Sequence, residues 1–93
     1  MAEITVRMVE RDAARMRFGV TVAEGTTETG HDVTLASADF KRLAAPDEDP
    51  DAFVRRCFEF LLAREPNESI MSRFDVSVIG RYFPEFEREI ARG

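Results

Sequence analysis

Hydrophobic and polar positions alternate along the first third of the chain. Ile4, Val6 and Met8 alternate with Thr5 and Arg7. Met16, Phe18, Val20 and Val22 alternate with Arg17, Gly19 and Thr21, and Val33 and Leu35 with Asp32 and Thr34. Successive side chains of a strand point to opposite faces, so each run presents one apolar face. Arg11-Asp12-Ala13-Ala14 and Glu24-Gly25-Thr26-Thr27 separate the runs as turns. Three such runs predict an antiparallel meander, with one face buried and the other, rich in Thr, Arg and Glu, wet.

The period changes after Leu35. Ser37 is placed to cap a helix, with Asp39 in its first turn and Phe40, Leu43 and Ala44 as its apolar stripe; Pro46 ends it. The acidic loop Pro46-Asp47-Glu48-Asp49 reads as a solvated linker. The next helix has Asp49 as N-cap, Pro50 at the first helical position and Asp51 facing the positive end of the dipole. At about 100° per residue, Phe53, Val54, Cys57, Phe58, Phe60, Leu61 and Leu62 cover an arc of roughly 200°. An arc that wide needs cover on two sides. The sheet supplies one; the C-terminal segment or a second copy of the chain supplies the other.

Pro66 stops that helix. Asn67 is placed to cap a short helix over 68–72, and Asp75 another from Val76 to Ile79 that Gly80 ends. Pro84 opens a last helix, with Glu85 and Glu87 early, Arg88 and Arg92 late, and Phe83, Phe86 and Ile90 facing inward. The expected fold is α+β, a single domain over 1–93. A three-stranded antiparallel meander (1–36) is followed by a helical part (37–93), whose three to four helices pack on one face of the sheet.

Composition adds to this picture. The hydrophobic share of 44% is that of a globular chain. Eight Phe are more than a thin core easily hides, which places some of them in an association surface. A net charge of −5 argues against nucleic acid, whose affinity comes largely from Lys and Arg on phosphates. The basic residues after Pro50 are all Arg, which stacks on rings and grips carboxylates as Lys does not. One cysteine rules out an intrachain disulfide, and no apolar run approaches the roughly 20 residues of a membrane span. The N-terminus lacks the apolar stretch of a signal peptide. A soluble, cytoplasmic protein with no membrane contact is expected.

Candidate chemistry is sparse. His31, the only histidine, reads as a half-exposed residue at a strand start, with Asp32 on the opposite face; catalysis needs an orienting partner that this spacing does not provide. Cys57 lies inside the apolar arc and reads as a buried, inert thiol. Asp47, Glu48, Asp49 and Asp51 lack the glycine and spacing of a calcium loop. No catalytic residue, metal or cofactor is therefore assigned. Residues 68–83 have the outline of a truncated helix-turn-helix, interrupted by Gly80; clustering of Arg73, Arg81, Arg88 and Arg92 on one face would favour nucleic-acid binding as the alternative function.

The stretch Phe58-Glu59-Phe60-Leu61-Leu62-Ala63-Arg64-Glu65-Pro66-Asn67-Glu68-Ser69-Ile70, with Phe74-Asp75 and Ile79-Gly80-Arg81-Tyr82-Phe83-Pro84-Glu85-Phe86, resembles the core of a group of small uncharacterised prokaryotic proteins. The resemblance covers roughly the last 35–40 residues. It implies a stand-alone protein and transfers no functional residue. The leading expectation is a non-enzymatic protein-interaction module that meets a protein partner or forms a homodimer. Its surface would be built from Arg73, Phe74, Arg81, Tyr82, Phe83 and Phe86.

Overall fold

The computed structural model describes residues 2–91. Strands β1 (Ala2–Arg11), β2 (Arg15–Glu24) and β3 (Thr27–Ala36) form the antiparallel meander that the alternation predicts. Met16, Phe18, Val20 and Val22 are buried on one face, whereas Thr21 between them is exposed. Gly25 has a φ of 61° at the first central position of the two-residue β2–β3 turn, a place where a side chain is strained. In the β1–β2 turn the Asp12 carboxylate accepts the N–H groups of Ala14 and Arg15 at 2.8 and 3.0 Å.

The helices follow as α1 (Ser37–Leu43), α2 (Pro50–Leu62), α3 (Ile79–Tyr82) and α4 (Phe86–Ile90), with 3-10 turns at Asn67–Ser69 and Val76–Val78. None of the described helices is long and apolar enough to cross a membrane. Pro50 opens α2 with Asp49 at its N-cap position, although the Asp49 side chain makes no capping bond. Ser37 does not cap α1. Ala36 holds that position, because the β3 ladder runs straight into the helix and the Ser37 N–H is taken by the Ala14 carbonyl at 2.9 Å.

The expected three-stranded sheet has a fourth strand. β4 (Arg73–Asp75) pairs parallel to β3 as Asp32↔Arg73, Val33↔Phe74 and Thr34↔Asp75. The first half of the supposed helix-turn-helix is therefore a 3-10 turn and a strand. Asp75 caps the next turn as expected, accepting from the Ser77 N–H at 3.1 Å. Gly80 does not end that segment but lies inside α3. Asn67 does not cap a helix over 68–72, since Pro66 precedes a single 3-10 turn. The Asn67 amide is buried, donating to the Val22 carbonyl at 3.3 Å and accepting from the Thr27 hydroxyl at 3.2 Å. It pins the end of α2 to the β2–β3 hairpin.

The wide arc of α2 is covered on both sides from within the chain. Toward the sheet, the Phe58 ring lies 5.3 Å from His31 and 5.9 Å from Phe74. On the other side Phe60 meets Phe83 and Phe86 edge-on at 5.8 and 5.1 Å. The Arg64 guanidinium stacks 3.6 Å over Phe60 and bonds Glu85 and Glu89, which clamps α2 to the C-terminal turn. Six of the eight Phe are buried, and Phe40 and Phe83 are half-buried against the core. The Phe surplus is thus absorbed internally and does not by itself call for a partner.

Candidate functional site

The surface feature with the clearest shape is an apolar cleft between the end of α2, β4 and α3. Leu61, Ile70, Phe74 and Ile79 form its apolar wall, joined by Met71, Tyr82, Phe83, Ser69 and Glu65, around about 270 Å³ of space. Local sequence explains its position. Pro66 ends α2 and the chain turns back through Asn67–Ser69. Ile70 then returns to the core, and β4 alternates so that Phe74 points inward while Arg73 faces out. The one-turn helix α3 buries Ile79 and leaves Tyr82 on its outer side. Tyr82 is 66% exposed and Met71 40%, so two large apolar side chains stand open beside the cleft.

The six residues expected to form an interaction surface divide in this geometry. Phe74, Tyr82 and Phe83 converge on the cleft. Phe86 is buried against Phe60 and reaches no surface. Arg73 is directed to the open face of the sheet, where its guanidinium is 3.9 Å from the Asp32 carboxylate. Arg81 is exposed and makes no ion pair among the described residues. Met71, Ser69 and Glu65 belong to the site and were not anticipated. They flank the turn and β4, an element too short to declare itself by periodicity.

His31 departs from expectation. It is only 6% exposed, because β4 covers the edge of β3 and Phe58 covers the ring. Nδ1 is 2.7 Å from the Met71 carbonyl, and Nε2 is 2.8 Å from the Thr29 hydroxyl. A carbonyl only accepts, so Nδ1 carries the proton of this bond, and the Thr29 hydroxyl engages the other ring nitrogen. Nδ1 thereby ties the turn before β4 to β3, while Nε2 is engaged within β3 by the Thr29 hydroxyl. Asp32 lies on the opposite face as expected, accepting from Arg17 at 3.0 Å.

The acidic loop is more than a solvated linker. Glu48 grips Arg56 through two bonds of 2.6 and 2.8 Å, and its side chain is only 11% exposed. Arg56 also donates to the Ile90 carbonyl at 2.8 Å, which ties loop, α2 and α4 together. Among the described residues no three metal-ligating side chains come together. Of the four arginines whose clustering would favour nucleic acid, Arg73, Arg81 and Arg88 sit on three separate elements, and Arg92 lies outside the described residues.

Cys57 is buried as expected, and burial pushes its thiol well above the ordinary value. Labelling of native protein with a thiol reagent is expected to be slow and to become fast only in denaturant. Rapid labelling of the folded chain would show that α2 opens locally.

Comparison with protein-family models, curated proteins and solved structures finds no match to this chain.

Proposed function

We propose that this chain is a non-enzymatic protein-interaction module working in the cytoplasm, and that its docking face is the cleft between β4 and α3. The observation that carries this reading is the pairing of an exposed Tyr82 and Met71 with an apolar hollow. Interface cores are enriched in Tyr, Phe, Met and Arg, and the binding energy concentrates in aromatic anchors that meet pockets. The groups most available for chemistry have other engagements: His31 holds the β4 turn through Nδ1 and bonds Thr29 of its own strand through Nε2, and the Cys57 thiol is sealed in the core.

The test compares faces. A partner retained by the wild-type protein is expected to be lost on Tyr82→Arg. It should be kept on Arg11→Glu, a change on an exposed residue at the far end of the sheet edge. Equal retention by Tyr82→Arg and wild type would remove the cleft as the docking face.

A further inference from the structure

We infer that the occupant of this cleft is a second copy of the chain, related by a two-fold axis, with Tyr82 of each copy seated in the cleft of the other. The inference rests on the reading of the cleft as a docking face. A two-fold contact is isologous, so one patch must carry both halves of the fit. Here the knob and the hole share an edge: among the described residues Tyr82 is the most exposed large hydrophobic side chain, and it stands on the rim of the hollow. An axis through that rim exchanges the two Tyr82 side chains. The hollow, about 270 Å³, has room for one aromatic side chain.

The polar groups fit the same arrangement. A buried Tyr hydroxyl needs a hydrogen-bond partner, and the cleft wall offers the Ser69 hydroxyl and the Glu65 carboxylate. Arg81 flanks the knob and Glu65 lines the hole, and neither has an ion-pair partner within the chain among the described residues. Docking two copies brings Arg81 of each to Glu65 of the other, so a cation and an anion left single in one chain become two symmetric pairs. Electrostatic complementarity of this kind fixes register more than it adds affinity. The patch is small, and the dimer is accordingly a weak one.

The chain has one tyrosine and no tryptophan, so the intrinsic fluorescence of the protein reports on Tyr82 alone. Sedimentation over a wide concentration range is run beside acrylamide quenching of that fluorescence. The expected result is a monomer–dimer equilibrium in which Tyr82 becomes shielded in step with dimer formation. Arg81→Glu and Glu65→Arg should each weaken the dimer about tenfold, and the double reversal should restore it, which a merely structural role of either residue would not do. A single species near 10.6 kDa throughout, with Tyr82 freely quenched, overturns the second-copy inference and leaves the cleft open to a different partner. A dimer whose Tyr82 stays as accessible as in the monomer places the two-fold contact elsewhere and overturns the inference, with the cleft reading then decided by the Tyr82→Arg comparison. Failure of the double reversal to restore a dimer lost in the single variants, all with native circular dichroism, overturns the proposed pairing.

Discussion

Phe58→Ala is expected to cost about 3–5 kcal/mol of folding stability, the range for deleting a fully buried aromatic side chain. Phe58 has no exposed surface and touches His31 of β3 and Phe74 of β4. Its removal leaves a cavity beneath a sheet whose ladder prevents collapse, so the loss includes a cavity contribution as well as the transfer energy of the ring. For a domain this size each kcal/mol shifts the melting temperature by about 4–8 °C. Urea unfolding measures the energy, and amide exchange shows where it falls. Protection should drop most at β4, since Phe74 loses a ring neighbour and the rest of its hold is a three-residue ladder with the His31 and Thr34 side-chain bonds. A loss under about 1 kcal/mol would mean that this part of the core repacks freely.

Arg56→Ala is the second large effect, expected at about 2–3 kcal/mol because it strips hydrogen bonds from a charged partner and from a helix-end carbonyl. Arg42→Ala should cost less than about 1 kcal/mol, although Arg42 also holds two carboxylates. Burial decides between them. Both Arg42 and Glu87 are half-exposed and screened by solvent, whereas Glu48 is nearly enclosed. The pH dependence follows. Arg56 hydrogen bonding holds the Glu48 carboxyl below its ordinary 4.5 against the opposing effect of burial, with help from the Ala45 N–H. A carboxyl lowered on folding contributes stability that is complete above its unfolded value and disappears as pH falls through the folded one. Stability should therefore decline below about pH 4.5, and Glu48→Gln should flatten that decline. Glu85 and Glu87 are lowered too, by contacts that include Arg64 and Arg42, so part of the slope survives in the variant. An unchanged slope in Glu48→Gln would show that this pair does not couple to folding.

Most of the sheet, and the whole of α2, could be read from residue order, because the rules that make them are local. Alternation over seven residues in Met16–Val22 is long enough to assign a face, and Asp49-Pro50 marks a helix start whatever surrounds it. The inward Phe stripe of α2 was legible for the same reason. What covers that stripe was not. The width of the stripe favours a second copy over the C-terminal segment as its cover, whereas the structure supplies Phe83 and Phe86, held by the Arg64 clamp.

The candidate site was only partly legible. Its aromatic richness was visible, but sequence placed Phe86 both on the inward stripe of the last helix and, beside Tyr82, on the interaction surface. One is buried and the other exposed because α4 folds onto Phe60 while α3 turns its outer side to solvent. β4 has three residues, too few for a period, and exists because β3 offers it a ladder and His31 and Thr34 offer hydrogen bonds. Asn67 followed the local rule for a helix cap, yet its amide serves a carbonyl 45 residues earlier in the chain. Local pattern decided which segments could be strand or helix and which face of each is apolar. Tertiary structure decided the partner of every polar group that local structure left open, because a buried hydrogen bond must be satisfied by whatever the fold brings within reach.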